Sequence, residues 1–418
     1  MTPLEYDRLN IWHPYASLGN PPPVRFAKSA SGTRILLDSG KELIDSVSSW
    51  WCVAHGHNHP HIVEAIRRQS EKLSHVMFGG FTHAPAIELA ERLASIAPEG
   101  LDKIFFADSG SIAVEVAVKM CIQYQHALGR PGRCKMLALK GGYHGDTACA
   151  MALSDPDGMH TLFAGMMPRH YFVAMPGGDV RAWDFREILE RHKDEIAGVV
   201  CEPVFQAANA MNFYGAEYLR EMRKACDEYG ILLVFDEIAA GFHRTGPRWA
   251  HERAGIKPDI MTVGKALTGG HITLAATLAS GTVADVISRG SPSAFMHGPT
   301  YMANPLACAA GIASLELFER EDYTAKAEAI GRIFREEGLP QVMGAVGVVK
   351  VPRLPARADI DRIIDSSGVW LRPFANFIYA MPPLVTPECE VRQIAAALKE
   401  LAACPPDPSA PDDGGFHE

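Results

Sequence analysis

Short apolar runs recur between residues 103 and 280, each followed by a stretch whose apolar positions return at helical spacing. The runs are KIFFAD (103–108), CKMLALK (134–140), EIAGVVCEP (195–203), GILLVFDE (230–237), DIMTVGK (259–265) and TLAATLAS (273–280). Alternation of this kind predicts a mostly parallel sheet with helices on both faces, an α/β fold. Upstream, β-like segments at 24–28, 33–37 and 42–45, separated by Gly and Ser, predict a small sheet outside the main one. The stretch through Pro21, Pro22 and Pro23 reads as irregular. Beyond Pro305, helical segments over 306–320 and around 390–403 enclose mixed pieces and predict a smaller α+β lobe. The expected organisation is therefore an N-terminal part of the small domain at 1–58, a large domain at 59–305 and the rest of the small domain at 306–404. The tail at 405–418, rich in Pro, Asp and Gly, is expected to be disordered.

Composition narrows the function classes. A chain of 418 residues, 47% apolar and 21% charged, is an ordinary globular protein with room for two or three domains of roughly 150 residues. Forty basic against 49 acidic residues leave a net charge of −9, so a nucleic-acid partner is not expected. The most apolar long stretch, 260–287, is broken by Lys265, His271 and Asp285, which argues against a membrane span. The first ten residues carry Glu5, Asp7 and Arg8 without an apolar core, which argues against a secretory signal and for a cytoplasmic protein. Nine cysteines without a CxxC pair suggest neither a disulfide framework nor a cysteine zinc site, and most are expected to be buried small hydrophobes.

In an open parallel sheet, ligands sit beyond the carboxyl ends of the strands. Three of these ends are chemically loaded. Asp108-Ser109-Gly110-Ser111 follows the first run and precedes a helical stretch at 112–128, where a helix start offers N–H groups either to a phosphate or to an ordinary cap. Asp236-Glu237 closes the fourth run and could ligate a metal, cap a helix or pair with a cationic ring nitrogen. Lys265 follows the fifth run among Gly264, Gly269 and Gly270, suited to a phosphate or a Schiff base. A phosphate-binding Walker loop would need Gly at 259 and Ser or Thr at 266, and the chain has Asp259 and Ala266. Together with the aromatic turn GGYHGD (141–146), these are the parts that pyridoxal phosphate needs: an amine, an anion for the ring nitrogen, a phosphate cup and a flat side chain.

With these motifs in place the chain resembles the class III aminotransferases, pyridoxal-phosphate enzymes of fold type I, over about residues 12–383. The resemblance rests on HGHNHP (55–60), DSGSIAVEVAVKM (108–120), GGYHGDT (141–147), VFDEIAAGFHRTG (234–246) and VGKALTGG (263–270). Flanking signatures IWHPY (11–15), SSWW (48–51), SHVMFGGFTHAPAIEL (74–89), FMHGPTYMANPLACAA (295–310) and LRPFANFIYAMPP (371–383) are similar to those of the biotin-pathway branch. The resemblance implies that Lys265 carries the cofactor and shuttles a proton, that Asp236 pairs with the ring nitrogen, and that Tyr143 stacks on the ring. It implies that Gly110 and Ser111 hold the phosphate, with Pro299 and Thr300 reaching it from the second subunit of a homodimer. Arg372 would take the substrate carboxylate, while Tyr15, Trp50, Trp51, Gly298 and Tyr379 would border the substrate. The implied substrates are S-adenosylmethionine as amino donor and 8-amino-7-oxononanoate as acceptor. Lysine is an alternative donor, and an ω-amino acid or diamine aminotransferase using pyruvate or 2-oxoglutarate is an alternative activity. A non-enzymatic binding protein on the same fold is a further alternative, against which an intact Lys265 and Asp236 argue.

Several of these residues also have plainer readings. Trp50 and Trp51 could be core, although neighbours on a strand face opposite sides, so both are not expected in one core. Arg372 could be a structural ion pair. His55, His57, His59 and His61 alternate so that period two would place them on one face like a metal site, yet the family has a similar His-rich turn and no metal is expected. Glu202 could merely support the cofactor-facing loop. Two departures from the family pattern are FQAANAM (205–211), where a Gly-rich stretch is usual, and Phe242-His243-Arg244, where GFGRTG is common.

Overall fold

Six of the apolar runs fold as strands of one central sheet in the computed structural model, which describes residues 1–175, 182–208 and 211–408. In chain order, the small N-terminal strands are β1 (Ala27–Ser31), β2 (Arg34–Leu37) and β3 (Glu42–Asp45). The middle of the chain supplies β4 (Lys103–Ala107), β5 (Lys135–Leu139), β6 (Tyr171–Val173), β7 (Ile196–Cys201), β8 (Phe205–Gln206), β9 (Asn212–Phe213), β10 (Leu232–Asp236), β11 (Ile260–Val263) and β12 (Ala275–Ala279). The C-terminal part adds β13 (Gln341–Met343), β14 (Val346–Lys350), β15 (Val369–Trp370) and β16 (Phe377–Ala380).

The central sheet runs β4-β12-β11-β10-β7-β5-β6. Its strands are parallel except β12, which pairs antiparallel with both β11 and β4. Only residues 264–274 join β11 to β12, too few for the helical crossover that a parallel return needs, so the chain doubles back. Strands β7, β10, β11 and β12 are buried along their whole length, as expected of a sheet covered on both faces. The helix Gly110–Ala127 lies close on the sheet. Gly198 of β7 permits that approach, since a Cβ there would sit 2.8 Å from Cys121 Sγ.

Outside the main sheet, β15 pairs parallel with β3 and so ties the C-terminal part to the N-terminal strands. The sequence reading missed β6, only three residues long, and the helix Pro3–Asn10, where a Thr2 capping box and an early proline start a helix in a stretch read as irregular. The first β segment falls three residues later than expected, at β1. Residues 405–408 are described and continue in contact with the fold, Asp407 N donating to Leu354 O, while 409–418 lie outside the described residues. Four of the nine cysteines are buried and two are exposed, so burial as small hydrophobes holds for fewer than half. Among the described residues no helix is long and apolar enough to cross a membrane.

Candidate active site

The carboxyl ends of β4, β5, β7, β10 and β11 open on one cavity of about 420 Å³, lined among others by Lys265, Asp236, Tyr143, Gly110, Ser111 and Trp51. Register explains the meeting. Asp236 is the last residue of β10 and stands opposite Thr262 of β11, whose Oγ1 donates to its Oδ1 at 3.2 Å. Ile238 N donates to the same oxygen at 3.1 Å. The other oxygen accepts from His144 Nδ1 at 2.8 Å, a contact between two buried side chains 92 residues apart. Burial works against a proton on His144, but the Asp236 bond and charge outweigh it and hold the imidazole above its ordinary range.

Lys265 stands just after β11 at φ 41°, a left-handed backbone that a non-glycine residue holds only under constraint from its surroundings. Its Nζ lies 5.1 Å from the centroid of the Trp51 ring. Burial lowers its pKa, opposed by the Asp236 and Glu202 carboxylates, so the amine is more readily neutral than a surface lysine. That is the form in which an amine can attack a carbonyl or take up a proton.

The helix Gly110–Ala127 begins at the cavity with Ser109 as its cap, Oγ accepting from Ile112 N at 3.4 Å. The first N–H groups of any helix lack helical acceptors and point at whatever lies in front. Gly145, at φ +124°, lets the turn after β5 close on this helix start, because a Cβ there would lie 2.0 Å from Ser111 Oγ. Glu202, just beyond β7, accepts from Tyr143 N at 3.1 Å and Ala207 N at 2.9 Å and so joins the aromatic turn to the β8–β9 hairpin. It does support the loop that faces the cavity. Residues 209 and 210 of the FQAANAM departure lie outside the described residues.

Burial pushes the Glu202 carboxyl up to about 7, with His144 opposing and Asp236 adding to the rise. Because its folded value lies above the ordinary 4.5, the folded chain holds a proton that the unfolded chain releases. Its contribution to stability is full below about 4.5 and is lost as pH rises through about 7. Glu202→Gln is expected to flatten the fall in Tm of the cofactor-free protein across this window. Equal slopes in the two proteins would contradict the assignment.

Trp50 and Trp51 do not lie on a strand, the premise on which they were expected to face opposite sides. Ser48, Ser49, Trp50 and Trp51 all have positive φ and form a left-handed turn, Ser48–Trp51. Trp51 is buried and faces the cavity, its Nε1 donating to Tyr379 Oη at 3.3 Å, whereas Trp50 is 43% exposed. Arg244 fixes the turn: its buried guanidinium donates to Trp51 O at 3.2 Å and Pro382 O at 2.6 Å. Burial pushes that guanidinium down to about 10. The neighbouring departure, His243, occupies φ 67° and packs its ring on Phe318 and Tyr323.

Trp50 and Arg372 line a second cavity of about 470 Å³ outside the first, with the guanidinium 5.1 Å from the Trp50 ring centroid. Tyr15 meets Tyr143 by its hydroxyl at 3.4 Å, and Tyr379 is buried behind Trp51. Gly298, Pro299 and Thr300 do not line the cavity of their own chain, and Gly298 and Thr300 are exposed. The four alternating histidines do not share a face, because residues 52–59 form a turn rather than a strand. His55 bonds Tyr323 and Ser314, His57 bonds Asp45, His61 bonds Glu316, and His59 caps the helix Pro60–Ser70. Glu237, the other carboxylate of the fourth run, is buried and accepts from Ala250 N, His251 N and His251 Nδ1, which makes it a structural cap. Sequence reading missed His144, Asp146 and His160, although GGYHGD contains the first two.

An amine, an anchored carboxylate, a helix start and a flat ring around one cavity are what pyridoxal phosphate requires, and the residues present fit it. The chain belongs to the class III aminotransferase family, whose model matches residues 15–402, and is a pyridoxal-phosphate-dependent aminotransferase of α/β fold. Within that family it is 44% identical to the adenosylmethionine-8-amino-7-oxononanoate aminotransferase of Buchnera aphidicola from Acyrthosiphon pisum, over 91% of this chain and 93% of the relative. The enzyme of the same name from Mycobacterium leprae is 42% identical over 95% of each chain. The solved structure of that enzyme from Methanocaldococcus jannaschii superposes with a TM-score of 0.89 at 30% identity, covering 95% of this chain and 98% of the other. An amine transaminase from an uncultivated Pseudomonas species, solved with pyridoxal phosphate bound, gives 0.86 at 30% identity, covering 95% and 99%.

Proposed function

We propose that this chain moves an amino group from S-adenosylmethionine to the C7 ketone of 8-amino-7-oxononanoate, giving 7,8-diaminononanoate in biotin synthesis. The observation that carries the reading is the convergence of Lys265, the Asp236–His144 pair, the Gly110 helix start and Tyr143 on one cavity, in a chain that matches relatives bearing that enzyme's name over 93% and 95% of their length. Pyridoxal phosphate, when bound, supplies the electron sink. Lys265 Nζ removes the proton from the donor's α-carbon and delivers one to C7 of the acceptor. Asp236, steadied by His144, Ile238 N and Thr262, presents a fixed negative charge to the cofactor's ring nitrogen. Trp51 and Tyr143 exclude water from the reacting face. Arg372 offers a planar fork to the acid's carboxylate beside Trp50.

The active species in this reading is a cytoplasmic homodimer. Exposed apolar side chains at Met77, Phe81, Met166, Met296 and Tyr301 support it, as do Gly298 and Thr300, which are exposed and line no part of the cavity of their own chain.

The test mixes purified, cofactor-loaded protein with each donor and the keto acid and follows 7,8-diaminononanoate by mass spectrometry. Product with S-adenosylmethionine, from protein that sediments as two chains, is expected. Product with lysine alone would overturn the donor, and activity with pyruvate but none with the keto acid would overturn the substrate assignment.

A further inference from the structure

Tyr143 reaches the cavity, and the groups that hold it lie behind it. Its hydroxyl is 3.4 Å from that of Tyr15, and Tyr15 donates to Asp146 Oδ2 at 2.8 Å. The second oxygen of that carboxylate, Oδ1, accepts from His160 Nε2 at 3.0 Å. The His160 ring then returns to Tyr143, the two rings nearly parallel at 25° with centroids 6.0 Å apart. Four side chains thus form a closed circuit, of which His160 alone is fully buried while Asp146 is half exposed.

We infer that His160 is a positioning residue that sets Asp146, and through it Tyr15 and Tyr143, at the mouth where the amino donor enters. A carboxylate gripped from two sides has one orientation, and one left half in water with a single partner does not. Burial would raise the Asp146 pKa, but the bonds from His160, Tyr15 and Tyr143 outweigh it and keep the group ionised. Tyr15 depends on that acceptor, because its backbone is left-handed at φ 59° and its side chain is 47% exposed. A fixed anion with two phenol hydroxyls at the mouth suits a cationic amine donor. Only the identity of that donor rests on the function proposed above.

The holoenzymes to compare are wild type, H160A, H160Q, H160F, Y15F and the Y15F/H160A pair. Steady-state kinetics would be read together with the visible circular dichroism of the bound cofactor, which reports how its ring is seated against Tyr143. H160A is expected to raise KM for S-adenosylmethionine about 10-fold with kcat changed less than about 3-fold, and to alter the dichroic band. H160Q, with an N–H that can reach the same oxygen, should restore most of both. H160F, which keeps the stacked ring and loses the donor, should behave as H160A even where the alanine variant folds poorly. Because Tyr15 and His160 act through one carboxylate, the double variant should lose less than the product of the single losses. Independent effects in the double variant, or a glutamine no better than alanine, would overturn the inference. If wild type accepts lysine and not S-adenosylmethionine, the donor assignment falls, and the circuit is judged by the same comparison with lysine.

Discussion

Lys265→Ala is expected to abolish turnover, lowering kcat by about 10⁴-fold or more, since the group that anchors the cofactor and the group that moves the proton are lost together. The substitution removes a side chain from the cavity wall without touching the Ser109-capped helix start or the Asp236 network, so cofactor uptake should persist without covalent attachment. Absorbance of the cofactor-saturated variant and single-turnover rates check both halves. Turnover within tenfold of wild type would mean that the proton is carried by some other group.

Asp236→Asn should come next in size, with kcat/KM falling about 10³-fold, or about 4 kcal/mol at 1.36 kcal/mol per tenfold. The amide is nearly isosteric and can still accept from Ile238 N and Thr262 Oγ1, so the fold should be spared. It cannot offer negative charge to a ring nitrogen, and it removes the interaction that holds His144 above its ordinary range. The His144 titration, followed by NMR in wild type and variant, should move downward in step with the rate loss. A lost rate with an unmoved His144 would confine the role of Asp236 to the cofactor.

Lys265 and Asp236 were legible because each ends an apolar run, and the end of a buried parallel strand is where a polar side chain can meet a ligand. The Gly110 helix start was legible for the same reason. His144 sat in view inside GGYHGD, but its bond to Asp236 spans 92 residues and depends on the order β10-β7-β5, which no local pattern encodes. Glu202 before Pro203 suggests a loop support, but its two partners, Tyr143 N and Ala207 N, follow from how the turn and hairpin pack and not from any local pattern. His160 had no signal at all, being one histidine in a polar turn. The turn at Trp50 and Trp51 carries no local signal, because consecutive left-handed residues are rare outside glycine and SSWW contains none. Period two in the histidines meant nothing once the segment proved not to be extended.

That left-handed turn bears on how the specificity of this enzyme can be altered. Four consecutive side chains at 48–51 occupy backbone that costs L-residues roughly 1–2 kcal/mol each. Its own backbone bonds, Trp51 N to Val47 O and Cys52 N to Ser48 O, and bonds from its surroundings, among them those from Arg244 to Trp51 O and from Ser48 Oγ to Met381 O, hold it. Diversity introduced at these positions is thus filtered first by conformation and only then by contact with a ligand. Glycine and asparagine would be admitted readily, while valine, isoleucine and threonine would tend to unmake the turn. Libraries that widen the mouth should therefore be weighted by backbone compatibility, and Arg244 should be kept in all of them, because its bond to Trp51 O helps to hold the turn.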